Sequence, residues 1–293
     1  MNLKHTTIVP GDSVDLQHFD PADRCGLESK EDSEQLLLAD IRDLTALQEV
    51  FAARKERALL IVLQGMDAAG KDGIIKHVMS GINPQGVDVH GFRQPSAKEL
   101  AHDFLWRESK VLPQFGRIGI FNRSYYEEVL VVRVNREALE AEGAREAAET
   151  WRERYEDINA FERHLVRSGT IVLKFFLHLS KEEQRKRLLA RLDNADKLWK
   201  FSDADLEGHA RWSAYQHAYS EMLAGTNTSW APWHVVPADR KWVARAVVGK
   251  IVLSAFRDLP SEYPKPSKER IEKSALLARV LEGEAEKGEK PSG

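Results

Sequence analysis

Apolar positions along the chain repeat with two periods, and the switches between them mark out the elements. From Lys30 onward Leu37, Ile41, Leu44, Leu47 and Phe51 recur every three or four residues, the single apolar face of a helix. An unbroken apolar run follows, ALLIVLQ at 58–64, the pattern of a strand buried on both faces of a parallel sheet. IIKHVMSGI (74–82) then reads as a helix, GVDVHGF (86–92) as a strand, and 96–112 as one helix with Ser96 as its N-cap. RIGIFN (117–122) is a third strand, leading into a helix over 124–134. Residues 146–169 give a long amphipathic helix, striped by Trp151, Tyr155, Ile158, Phe161 and Leu165 and stopped at Gly169. TIVLKFFLHLS (170–180) and WHVVPA (233–238) supply the fourth and fifth strands, and a helix capped by Asp239 runs on to residue 256.

Strands alternating with helical crossovers predict an α/β fold: three layers, with a five-stranded parallel sheet between helices on both faces. A polar, turn-rich arm over 1–30 is expected on the surface, followed by one domain over 31–260. The tail over 261–293 is charged and proline-bearing, and its end is expected to be disordered. No internal repeat is visible.

Composition narrows the function classes. With 43 Lys and Arg against 46 Asp and Glu, the net charge of −3 gives no general case for binding nucleic acid. Any anion must therefore be held by a local cluster. Cys25 is the only cysteine, which excludes an intrachain disulfide and suits a reducing cytoplasm, the expected location. The N-terminus lacks the apolar run of a signal peptide, and the longest apolar stretch is short and interrupted by Lys174 and His178. Membrane insertion is not expected.

The candidate chemistry begins where the first strand ends. Gly65, Gly70 and Lys71 fit G-x-x-x-x-G-K between a strand and a helix, where backbone N–H groups, the helix N-terminus and a lysine converge on an anion. Ala68, Ala69 and Gly70 would turn their amides toward phosphate. Asp67 and Asp72 lie in the same loop, Asp72 where such a loop carries Ser or Thr. A carboxylate about 4 Å from a phosphate charge costs about 4 kcal/mol at an effective dielectric near 20, so the two acids make sense if they hold hard dications such as Mg²⁺ or Mn²⁺. The plainer readings are an exposed loop acid for Asp67 and a helix-stabilising first-turn acid for Asp72.

A second group follows the third strand, whose carboxyl end belongs to the same ligand edge: Asn122, Arg123, Glu127 and Glu128. Position 122 is Asn where an acid would be expected, and Glu127 or Glu128 could supply that charge. Arg123 offers a planar fork for phosphate, unless these are only surface charges at a helix start. After the fourth strand, Lys181, Arg185, Lys186, Arg187, Arg191, Lys197 and Lys200 crowd about twenty residues. Such a run is either a solvated face or, from its position, a lid over about 181–225 that closes cations over a transferred phosphoryl group. The excess of charge suits a long polyanion.

These residues resemble the polyphosphate kinase 2 family of P-loop kinases over roughly 15–260. The resemblance rests on LLIVLQGMDAAGKDG, PSAKELAHDFLWR, GRIGIFNRSYYEEVLVVRV, EEQRKRLLARLDNADKLWKFS and APWHVVPADRKWVAR. The form GMDAAGKDG with FNRSYYEEVLVVRV looks like the subgroup acting on nucleoside mono- and diphosphates. The resemblance implies a P-loop kinase fold with a helical lid, and Mg²⁺-dependent transfer of a phosphoryl group from inorganic polyphosphate to ADP or AMP. It implies catalytic roles for Asp67, Lys71, Arg123 and Glu127, and metal binding by Asp67, Asp72 and Glu127. Phosphate contacts are implied for Lys71, Asp72, Asn122, Arg123, Arg187, Arg191, Lys197 and Lys200. The expected assembly is a homo-oligomer. One departure is Asn194-Ala195, where the family often carries Asp-Pro, which loosens the expected lid hinge. The alternatives are an ATP-dependent nucleotide or small-molecule kinase of the same fold, and a non-catalytic phosphate- or nucleotide-binding module. No Asn-Lys-x-Asp motif supports a GTPase, and DLEG at 205–208 matches such a pattern only by accident.

Overall fold

Strand β1 (Ala58–Gln64) is buried along its whole length and occupies the middle of the sheet. The computed structural model describes residues 1–135, 148–200 and 202–288, with the side chains of 148, 197, 198, 200 and 283–288 outside that description. Strands β2 (Val87–Gly91), β3 (Ile118–Asn122), β4 (Thr170–His178) and β5 (Trp233–Pro237) complete a sheet ordered β2-β3-β1-β4-β5. Every pairing is parallel, with Leu63 of β1 level with Asn122 of β3 and Phe175 of β4. Because successive side chains of a strand face opposite ways, Leu59, Ile61 and Leu63 enter one core while Leu60 and Val62 enter the other.

Helices cover both cores. On one face lie α1 (Lys30–Arg54) and α2 (Lys71–Val78). On the other face lies α6 (Ala148–Arg167), after the single-turn α3 (Ala97–Leu100), α4 (Trp106–Ser109) and α5 (Val131–Val134). Then come α7 (Lys181–Leu192), α8 (Asp203–Ala210) and α9 (Trp212–Thr226), and finally α10 (Lys241–Arg257), which packs against α1 and α2. The α/β architecture matches the sequence expectation.

Local chemistry accounts for three differences, and the N-terminal arm is a fourth. The helix expected over 96–112 is broken into two single turns. Ser96 and Glu99 do form a capping box, but the Asp103 carboxylate accepts from the Leu105 amide and opens the chain between them. The segment after β3 begins as a 3-10 turn, Tyr125–Val129, because the Ser124 hydroxyl accepts from the Tyr126 amide. Asp239 does not cap α10, which starts after Arg240 without a side-chain cap; its carboxylate accepts instead from the Ser180 amide at the head of α7. The N-terminal arm is more than a surface strap: Ile8, Leu16, Cys25 and Leu27 are buried in the two cores.

Met1–Ser261 forms one unit and Glu262–Gly293 another. Where the sequence reading placed a tail, Lys268–Gly288 forms helix α11, rich in the strong helix formers Ala, Leu, Glu and Lys; residues 289–293 lie outside the described residues. No helix among the described residues is long and apolar enough to cross a membrane.

Candidate functional site

The loop between β1 and α2 is shaped by three residues with positive φ: Gly65 (150°), Ala68 (66°) and Gly70 (109°). Only glycine fits at 65, because a Cβ there would lie 2.8 Å from the Leu177 carbonyl oxygen of β4. The Ala69 amide turns inward to the Met66 carbonyl (3.1 Å). Of the three amides expected to meet phosphate, that of Ala69 is therefore taken. The first amides of α2 begin immediately after Gly70, where a helix leaves its N–H groups without intrahelical partners.

Lys71 is almost fully buried, and its Nζ donates to the carbonyls of Gly65 (2.6 Å) and Met66 (3.2 Å). Burial, reinforced by the neighbouring Arg123 charge, pushes its pKa down to about 8, while Asp67, Glu127 and Asp72 pull the other way. A lysine so placed is charged at neutral pH but costs enough desolvation to be held ready for an anion.

At the end of β3, Arg123 adopts φ 65° and its guanidinium forks between two acids. Its Nη1 donates to Glu127 Oε2 (2.8 Å) and its Nη2 to Asp67 Oδ1. The charge of Glu127 above all, with that of Asp67, raises the pKa of Arg123 against the opposing effect of burial, so the cation is permanent. Asn122 Nδ2 donates to Asp72 Oδ1 at 2.9 Å. Glu127 is thus the acid that joins the site; Glu128 faces away, where its backbone carbonyl and its carboxylate both accept from Arg154. Tyr215 and Tyr219 of α9 stand against the same charges, and burial, with Glu127 next, raises both pKa values, Tyr215 to about 12.

The segment after β4 divides into two roles. Arg191 reaches α8, where its Nη1 donates to Asp205 Oδ2 (3.3 Å). Burial raises the pKa of Asp205, and the nearby Asp67 charge raises it further. Asp205 is the site residue that sequence reasoning passed over, inside the DLEG stretch set aside as accidental. Arg187, expected on phosphate, has every N–H engaged: Nε with Glu183, Nη1 with the carbonyls of Ala68 and Ala69, Nη2 with those of Ala238 and Asp239. It belongs to the frame behind the loop and has no donor left for a ligand. Lys197 and Lys200 lie outside the side chains described.

Asp67, Lys71, Asp72, Asn122, Arg123 and Glu127 therefore share one cleft at the carboxyl edge of the sheet. The expected metal set of Asp67, Asp72 and Glu127 does not converge: among the described residues no three His, Cys, Asp or Glu side chains are grouped to hold an ion. Arg123 lies between Asp67 and Glu127 and keeps them apart. The donor chemistry still suits a hard dication, since Mg²⁺ is usually held by one or two carboxylates and completed by substrate phosphates and water. Two cations, a set of loop amides and carboxylates for a dication make a place where two phosphate groups can be brought together against their repulsion.

Known proteins resemble this chain over most of its length. The family Polyphosphate kinase 2 (PPK2) matches residues 27–263. An ADP-polyphosphate phosphotransferase of Rhodopseudomonas palustris is 46% identical over 285 residues, covering 96% of this chain and 99% of the relative. An AMP/ADP-polyphosphate phosphotransferase of Meiothermus ruber is 43% identical over 265 residues, 90% of this chain and 96% of its own. The crystal structure of polyphosphate kinase 2 from Arthrobacter aurescens superposes with a TM-score of 0.86 at 40% identity, over 94% of this chain and 96% of the other.

Proposed function

The chain belongs to the polyphosphate kinase 2 family, and from that premise we propose how the cleft at the glycine loop carries the reaction. The protein is a polyphosphate-dependent nucleotide kinase, a transferase that moves a phosphoryl group between inorganic polyphosphate and a nucleotide. Its acceptors are both AMP and ADP, as in the name of the Meiothermus ruber relative.

A terminal phosphate oxygen of the nucleotide attacks the end phosphorus of polyphosphate. A new P–O bond forms, the bridging P–O bond breaks, and the shortened polyphosphate leaves with the electron pair. The attacking oxygen is already ionised at neutral pH, so no general base is needed, and the barrier is charge repulsion. Lys71, freed from its two loop carbonyls, and the amides of Ala68 and Gly70 bind the phosphates at the reacting centre. Arg123 turns the arm that meets Asp67 toward the transferred group, and Asn122 with Arg191 borders the path of the chain. Asp67 and Asp72 would hold a dication, which would supply positive charge against the repulsion between phosphate groups. Glu127 keeps Arg123 aimed into the cleft.

One observation carries this reading: two cations, Lys71 and Arg123, are held among Asp67, Asp72 and Glu127 at one glycine-rich loop. Purified protein with Mg²⁺ and long-chain polyphosphate is expected to turn ADP into ATP and AMP into ADP, measured by nucleotide chromatography. Turnover with ATP as the sole donor and none with polyphosphate would overturn the donor assignment. Tight polyphosphate binding without turnover of any nucleotide would favour a binding module.

A further inference from the structure

Three successive carbonyls of the glycine loop are each held from helix α7. Gln184 Nε2 donates to the carbonyl of Asp67 (3.1 Å), and Arg187 Nη1 donates to those of Ala68 (3.0 Å) and Ala69 (3.1 Å). Gln184 and Arg187 are three apart and share a helix face. Both are buried, at 0% and 8% exposure.

Their own geometry is fixed in turn. Gln184 Oε1 accepts from His209 Nδ1 of α8 (2.8 Å). Arg187 Nη2 donates to the carbonyls of Ala238 (2.7 Å) and Asp239 (3.0 Å) after β5, and Nε to Glu183 Oε1 (2.8 Å). All five guanidinium N–H groups have acceptors, four of them backbone carbonyls.

A peptide plane turns as a unit, and its N–H points opposite to its C=O. Holding the carbonyls of 67, 68 and 69 toward α7 therefore sends the amides of residues 68, 69 and 70 to the other side. The Ala69 amide closes on Met66, which leaves those of Ala68 and Gly70 facing the phosphate side of the loop. Ala68 holds an unfavourable left-handed φ of 66°, a conformation that persists only where surrounding bonds enforce it. The geometry points to Gln184 and Arg187 as positioning residues: a carbonyl clamp that aims the loop amides at phosphate without touching it. His209 and the Arg191–Asp205 pair join the same helix to α8, so the clamp links the lid segment to the loop.

This inference rests on the polyphosphate reading, and the test separates the two. If wild-type protein shows no polyphosphate-dependent turnover, that reading fails; differences among variants of an active wild type judge the clamp. Arg187→Lys keeps the charge but has too few donors, and in the wrong arrangement, to hold four carbonyls. A clamp predicts that Arg187→Lys and Arg187→Met both lower kcat at least about tenfold, while KM for polyphosphate changes less than about twofold. Gln184→Leu, which changes no charge, is expected to lower kcat several-fold with the same unchanged KM, and it decides the matter if the Arg187 variants do not fold. A direct phosphate contact at Arg187 would instead leave kcat near wild type in Arg187→Lys and raise KM in Arg187→Met. A merely structural role would lower melting temperatures and leave kcat intact in all three variants. Either of those results overturns the clamp.

Discussion

Lys71→Met is expected to lower kcat for polyphosphate-driven ATP formation by about 10²–10³-fold while the protein stays folded, the scale seen when one preorganised charge-stabilising donor is removed. The effect follows from the state of the Lys71 side chain. Its ammonium group is buried and satisfied by only the Gly65 and Met66 carbonyls, and burial pushes its pKa down to about 8. A cation kept in such a place costs stability, so removing it is not expected to lower the melting temperature. What is lost is the charge that meets the developing negative charge of the transferred group.

The buried lysine also sets a pH dependence. Below about pH 8 Lys71 carries its charge; above it the free enzyme loses that charge. Values of kcat/KM report the free enzyme, so for polyphosphate they are expected to fall as pH rises through about 8. The variant should show no such limb. A wild-type profile that stays flat beyond pH 9, or a Lys71→Met enzyme within about threefold of wild type, would remove the lysine from the mechanism.

Glu162→Ala is expected to destabilise the protein by about 3–5 kcal/mol, the cost of leaving a buried partner charge uncompensated. Lys174 sits in the middle of β4 with no exposure, and its Nζ donates to Glu162 Oε2 (2.7 Å), the Tyr126 hydroxyl (2.9 Å) and the Thr226 carbonyl (2.7 Å). Glu162 Oε1 accepts from the hydroxyls of Tyr125 (2.9 Å) and Tyr126 (2.8 Å). The rings of Tyr126 and Trp233 lie about the ammonium at 5.4 and 5.0 Å. Every polar atom of the pair is paired, so truncating one partner strands the other, and burial then pushes Lys174 further toward its neutral form.

For a chain of this size the loss corresponds to a fall in melting temperature of about 6–20 °C. Replacing both members by apolar residues of similar volume should recover much of it, as buried ion pairs often allow. The network also stands behind the turn that carries Arg123 and Glu127, because Tyr125 and Tyr126 belong to that turn. Urea and thermal unfolding of Glu162→Ala measure the effect; a loss under about 1 kcal/mol would mean that the pair contributes little to holding β4 against α6.

Strands β1, β3, β4 and β5 were legible because each is a short run buried along most of its length. ALLIVLQ is buried at all seven positions, and both its boundaries were visible in the apolar run. The glycine loop was legible for a similar reason: Gly65 and Gly70 answer steric demands that no other residue meets. What failed were helix details decided by single side-chain hydrogen bonds, such as the carboxylates of Asp103 and Asp239. The role of Arg187 was hidden because a basic run does not say which cations face solvent and which bind carbonyls. Asp205 gave no signal by spacing; only the fold brings α8 to Asp67. The resemblance of whole motifs identified the chemistry, and the structure sorted its residues into those facing the cleft and those behind it.

On the proposed mechanism, the acids among the phosphate-binding groups bring a dication to polyphosphate at the glycine loop. Crystals grown with Mn²⁺ and tripolyphosphate test it directly, because manganese scatters anomalously and can be located apart from water. The expected map has manganese about 2.0–2.2 Å from an Asp67 carboxylate oxygen, with tripolyphosphate reaching Lys71. Tripolyphosphate bound elsewhere, with no manganese on Asp67 or Asp72, would contradict the account.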